Sequence, residues 1–131
     1  MTTPKKQILC VDDSTDTCEL VSYILRDYDV THAHSMADAI KRATAERHDL
    51  YILDYHLPDG TGLELCLMLR GFDRDTPMLF ATGSSSITEA QVITAGAQGL
   101  VRKTGKSFPE ELEDKSFPEE LVAKVSQLLK T

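Results

Sequence analysis

No stretch of this 131-residue chain comes near the roughly 20 consecutive apolar residues that a membrane span requires. The opening Met-Thr-Thr-Pro-Lys-Lys-Gln passes straight into a short apolar run. It lacks the longer apolar stretch and small-residue cleavage site of a secretory leader, so the expected compartment is the cytoplasm. Positive charge is in deficit: 14 Lys and Arg stand against 21 Asp and Glu, a formal net charge of −7. That balance opposes a nucleic-acid backbone, whose non-specific affinity comes from Lys and Arg displacing counterions, and no direct DNA binding is expected. Cysteine is scarce as well. Cys10, Cys18 and Cys66 sit inside apolar segments without any paired metal-binding spacing and read as small core residues in a reducing compartment.

What is present is the balance of a globular protein, 41% hydrophobic and 27% charged, in a length that suits one compact domain over residues 1–131. Five short runs rich in β-branched or large apolar residues, at 8–11, 30–33, 50–53, 78–81 and 99–101, alternate with helical patterns. This alternation predicts an α/β fold with a parallel sheet. Four of the runs are almost continuously apolar, as in strands covered on both faces. The second, Val30-Thr31-His32-Ala33, is mixed and suits an edge.

Ser14 is the expected N-cap of a first helix with Cys18, Val21, Leu25 and Tyr28 on one face, and Ser35 caps a second with Met36, Ala39, Ile40 and Ala43 at helical spacing. A third helix over about 62–70 ends at Gly71 and a fourth over about 87–95 ends at Gly96, both glycines suited to a left-handed C-terminal cap. The fifth carries Leu121, Val122, Val125, Leu128 and Leu129 as its apolar stripe, with Pro118 in its first turn and Lys124 and Lys130 facing water. Before it, Lys-Ser-Phe-Pro-Glu-Glu-Leu occurs at 106–112 and again at 115–121. A solenoid repeat would be longer and occur several times, so this is read as a nine-residue tandem insertion in one surface connection, near 106–121.

In an open parallel sheet, ligands bind at the carboxyl ends of the strands where the strand order reverses. The residues there are Asp12 and Asp13 after the first strand, Asp54 after the third, Thr82 after the fourth and Lys103 after the fifth. Taken singly, each has a bland role as a cap or a surface charge. Together they form a set. If the first and third strands are neighbours, three carboxylates crowd, and two unit charges about 4 Å apart repel by about 4 kcal/mol at an effective dielectric near 20. A hard divalent cation such as Mg²⁺, which takes oxygen ligands and often shares its shell with a phosphate, offsets this, and Lys103 adds a second positive charge. An aspartate can be the nucleophile in phosphoryl transfer, which needs in-line positioning and neutralisation of three equatorial oxygens.

The segments Ile-Leu-Cys-Val-Asp-Asp-Ser at 8–14, Leu-Asp-Tyr-His-Leu-Pro-Asp-Gly-Thr-Gly at 53–62, Ala-Thr-Gly at 81–83 and Gly-Ala-Gln-Gly-Leu-Val-Arg-Lys at 96–103 resemble the response regulator receiver domain family over nearly the whole chain. The resemblance implies a flavodoxin-like three-layer sandwich, a five-stranded parallel sheet of order 2-1-3-4-5 with five helices. It implies that Asp54 accepts a phosphoryl group from a histidine kinase or histidine phosphotransfer protein. Asp12, Asp13, Asp54 and the backbone carbonyl of His56 would hold Mg²⁺, and Thr82 and Lys103 would bind the phosphoryl oxygens. Phosphorylation would then switch the face formed by the fourth helix, fifth strand and fifth helix, to which a downstream protein partner binds. The chain is expected to be an acceptor with self-dephosphorylation only, not an enzyme, and to pass its output through another protein.

Two departures stand out. Many relatives carry Tyr or Phe three residues before the lysine, where this chain has Leu100, and a proline after it, where this chain has Thr104. A cis peptide is not expected there. His56 and Ser84 stand where side chains can border the path of attacking water, and a role in tuning dephosphorylation is set against that of a solvated residue; His32, His34 and His48 read as surface residues. The alternative function is a phosphorylation-independent receiver-like interaction module, favoured by Leu100 and the insertion and opposed by the intact acidic set. A dehalogenase-type phosphatase would have a second acid where His56 stands, and Asp12 and Asp13 would repel the phosphate of a flavin.

Overall fold

A computed structural model describes residues 4–103 and 115–130. The chain runs β1 (Gln7–Val11), α1 (Thr15–Ile24), β2 (Asp29–Ala33), α2 (Met36–Ala45), β3 (Leu50–Leu53), β4 (His56–Leu57), β5 (Gly60–Thr61), α3 (Gly62–Arg70), β6 (Met78–Thr82), α4 (Glu89–Ala95), β7 (Gly99–Arg102) and α5 (Ser116–Leu129). The main sheet is parallel, in the order β2-β1-β3-β6-β7. This is the expected 2-1-3-4-5 order once β4 and β5, a two-residue antiparallel ribbon that the hydrophobic pattern does not announce, are set aside.

Side chains alternate faces along each strand, so the continuous apolar runs feed two cores. Leu9, Val11, Tyr51, Leu53, Met78, Phe80 and Leu100 pack on one side with residues of α2, α3 and α4. Ile8, Cys10, Leu50, Ile52, Leu79, Ala81 and Val101 pack on the other with α1 and α5. The result is the expected three-layer sandwich. The three cysteines are buried and free, as expected, and β2 is the partly exposed edge strand. No helix among the described residues is long and apolar enough to cross a membrane.

Ser14 and Ser35 cap their helices, accepting from the Thr17 and Asp38 amides. Several helix details differ from expectation. α1 stops at Ile24, and Tyr28 lies in the turn beyond it, because the chain must enter β2 at Asp29 to pair with Gln7. α4 begins at Glu89, since Thr88 and Gln91 form a capping box that leaves Ile87 outside the helix, buried in the core. Gly96 takes the left-handed cap conformation (φ 109°), whereas Gly71 stays right-handed at φ −63° and bonds back to Leu67. In α5, Phe117 enters the core with Leu121 and Val125, while Val122, one residue and about 100° further round the helix, is 43% exposed. Lys124 is half-buried and pairs with Glu89 of α4 at 3.7 Å instead of facing open water.

His48 is 3% exposed, against the surface position expected of it, and burial pushes its pKa down. His32 is half-buried and shares a 2.5 Å hydrogen bond with the Ser22 hydroxyl. Burial, with His34 adding to it, likewise lowers its pKa. His34 is exposed as expected. The first copy of the duplicated heptapeptide, and Thr104, lie outside the described residues. The second copy supplies the first turn of α5.

Candidate phosphoacceptor site

Between β1 and β3 the strand order reverses, and the register Val11↔Leu53 brings the residues that follow these strands side by side. The ladder continues one residue further: Asp54 donates its amide to Val11, Asp12 donates to Ala33, and Lys103 donates to Thr82. Backbone hydrogen bonding thus fixes where these side chains start before any side-chain contact forms.

Asp12, Asp13 and Asp54 each offer a carboxylate oxygen, and all three lie within 4.8 Å of one another. The Lys103 ammonium reaches between two of them, 2.5 Å from Asp12 Oδ2 and 3.6 Å from Asp54 Oδ2. Asp12 is buried, Asp54 partly so, and Asp13 exposed, so the cluster opens to solvent on the Asp13 side. The second oxygens of Asp12 and Asp54 have fixed donors: the Ser14 amide on Asp12 Oδ1 at 2.9 Å and the Tyr55 amide on Asp54 Oδ1 at 2.8 Å.

Three carboxylates face one ammonium, which leaves two negative charges uncompensated. Burial raises the pKa of Asp12, and the Asp54 charge adds to this against the opposing effect of Lys103. Burial disfavours the Lys103 ammonium too, but the carboxylates of Asp12 and Asp54 outweigh it and hold the lysine above its ordinary range. The excess charge and the hard oxygen donors fit a divalent cation of the magnesium type.

Thr82 ends β6, 1% exposed, and its hydroxyl accepts from the Ser84 amide at 3.1 Å. The four strand ends therefore converge on one edge, as expected. The His56 imidazole is exposed, standing edge-on to Tyr55 with ring centroids 4.8 Å apart.

Three further residues support the site in ways that the sequence pattern alone does not assign to them. Gly62 donates its amide to the Tyr55 carbonyl at 2.6 Å and packs on the backbone of Asp54. Asp59 anchors the same segment by accepting from the Met36 and Ala37 amides at the start of α2, which lowers its pKa. His34 Nδ1 meets the Asp12 carbonyl oxygen at 2.9 Å.

Residues 8–115 match the family described as response regulator receiver domain. The chain belongs to that family. Among curated relatives of this receiver domain, the response regulator MprA of Mycobacterium tuberculosis is 34% identical over 100 residues, covering 74% of this chain and 44% of MprA. The chain spans less than half the length of the curated relatives it matches. Among solved structures, the chemotaxis protein CheY4 of Vibrio cholerae superposes with a TM-score of 0.79 at 28% identity, covering 95% of this chain and 99% of CheY4. The response regulator protein TrrA of Thermotoga maritima, solved in complex with Mg(2+)-BeF, does so with a TM-score of 0.77 at 29% identity, with coverage of 95% and 99%. The receiver domain of this chain is thus part of two-component signalling, with an aspartate cluster of the kind that serves phosphorylation.

Proposed function

We propose that Asp54 accepts a phosphoryl group from a histidine kinase or histidine phosphotransfer protein. The observation that carries the reading is the Asp12–Asp13–Asp54 cluster bridged by Lys103. An oxygen of Asp54 attacks phosphorus, the phosphorus–nitrogen bond of the donor phosphohistidine breaks, and the imidazole leaves with the bonding pair and takes up a proton.

Asp12, Asp13, Asp54 and the backbone carbonyl of His56 would hold Mg²⁺, which when bound neutralises charge on the transferring group. Lys103, already 3.6 Å from Asp54, binds one phosphoryl oxygen, and Thr82 donates its hydroxyl to another. The similar TrrA was solved in complex with Mg(2+)-BeF, and a beryllium fluoride anion has the tetrahedral form of a phosphoryl group, which supports a site that takes the metal and a phosphoryl group together. The chain adds no turnover beyond self-dephosphorylation, whose rate His56 and Ser84 tune. Equal hydrolysis rates for phosphorylated wild type and His56→Ala would remove that role.

Residues 1–131 act as a single domain, and output passes through the face of α4, β7 and α5, where Ile93 is exposed one turn from Glu89, which pairs with Lys124. Incubation with a small phosphodonor and Mg²⁺ followed by intact mass tests the reading. One phosphoryl adduct on the wild type, absent in Asp54→Asn, is expected. No adduct on the wild type would favour a phosphorylation-independent interaction module.

A further inference from the structure

Thr82 and Arg102 are partners in register across β6 and β7, and both hold the same loop residue. The Thr82 hydroxyl accepts from the Ser84 amide, while the Arg102 guanidinium donates from Nη1 to the Ser84 carbonyl and from Nη2 to the Ile87 carbonyl. Ser84 is therefore gripped at its amide by one strand and at its carbonyl by the next. The loop itself is Gly-Ser-Ser-Ser over 83–86, with no apolar side chain to anchor it before the fully buried Ile87. Polar contacts therefore set its position. Ile87 directly precedes Thr88, the N-cap of α4.

Arg102 also directly precedes Lys103, whose ammonium spans Asp12 and Asp54. Leu100 cannot provide a polar link: it has no polar side-chain atom and packs in the same apolar cluster as Ile87 and Val92. A planar guanidinium fork is suited to bridging two separate acceptors, which the compact ammonium of a lysine is not.

We propose that Arg102 is a positioning residue that ties the state of the Asp54 site to the loop after β6 and to the start of α4. The inference rests on the reading of Asp54 as the phosphoacceptor. Movement of the Thr82 hydroxyl toward an oxygen carried on Asp54 draws Ser84 with it through the amide. The carbonyl of Ser84 then pulls on the guanidinium, which hands the displacement to Ile87 and so to the first turn of α4. Lys103 acts on the same fork from the other side, through the peptide bond it shares with Arg102.

The test uses amide spectra of the full chain, recorded free and with Mg²⁺ and beryllofluoride, for wild type, Arg102→Met and Arg102→Lys. The readout is the ligand-induced shift, which a merely structural role for Arg102 would not change even if it altered the free spectrum. Wild type is expected to respond at residues 12, 13 and 54 and again at 84–92. In Arg102→Met the response at 12, 13 and 54 persists while that at 88–92 falls about threefold or more, and Arg102→Lys lies between. A response at 88–92 in Arg102→Met equal to that of wild type overturns the proposal and leaves the phosphoacceptor reading standing. No response at 12, 13 and 54 in the wild type overturns both.

Discussion

Gly62 packs against Asp54 so closely that a Cβ built on it would lie 2.2 Å from the Asp54 carbonyl oxygen and 2.8 Å from the Phe80 ring. The oxygen is backbone and Phe80 is fully buried, so neither neighbour can give way cheaply. Gly62→Ala should therefore cost about 3 kcal/mol, the upper end for overpacking, and displace the Asp54 carboxylate as well. Urea denaturation checks the first effect, and the extent of phosphorylation of the folded fraction checks the second. A variant of wild-type stability that phosphorylates normally would show that the contact has no such consequence.

The carboxylate cluster is a site where function works against stability. Asp13 is its exposed member, and neutralising it removes like-charge repulsion without opening a cavity. Asp13→Asn should be more stable than wild type by about 1 kcal/mol in a chelating buffer, where no cation offsets the charges. Adding Mg²⁺ should stabilise the wild type progressively, by mass action on the folded state, and the variant far less. Unfolding midpoints measured across a magnesium titration decide this, and parallel titration curves for the two proteins would contradict it.

Much of the sheet and the site is legible in the sequence for a simple reason. Asp12, Asp54 and Lys103 directly follow apolar strands and Thr82 ends one, so a correct strand order delivers them to one edge. Ser14 and Ser35 announce their caps because the signal is local. What is not legible depends on how distant segments cross. Gly62 meets Asp54 only because α3 starts on top of the segment after β3. Arg102 is an exposed charge, and its bonds to the Ser84 and Ile87 carbonyls exist only because the loop after β6 passes beside it. His48 is polar and sits in a loop, yet its neighbours bury it. The rotation of α5 is set by Phe117 inserting into the core, a residue outside the apolar stripe as first counted, and this turns Val122 outward.

Arg70 is a second long-range feature hidden behind an ordinary helix-end residue. From the last turn of α3 it donates to the carbonyls of Gly96 at 3.1 and 2.9 Å, Asp73 at 3.0 Å and Thr76 at 2.7 Å. It thereby joins the end of α4 to the approach to β6. Arg70→Met keeps the apolar stem but leaves these carbonyls without their charged donor, and should destabilise by about 2–3 kcal/mol. Chemical denaturation measures the loss. The damage lies at the end of the sheet away from Asp54, so phosphorylation of the folded variant should be unchanged.

Asp73 carries a pH dependence whose sign can be worked out. Burial works to raise its pKa. Hydrogen bonds from Thr76, from the Tyr51 hydroxyl at 2.8 Å and from the Asp75 amide outweigh burial and hold the carboxyl below its ordinary value. A carboxyl whose folded pKa is depressed contributes stability that is fully present above its unfolded value, about 3.9, and is lost as pH falls through the folded pKa. Asp73→Asn removes that titration. At pH 6 the variant should be about 1 kcal/mol less stable than wild type, a modest figure because solvent screens a partly exposed carboxylate. On acidification below about pH 4 the wild type loses this contribution and the variant does not, so the gap should close. Paired urea titrations from pH 6 downward check it, and a gap that stays constant would mean that the Asp73 charge contributes nothing to the fold.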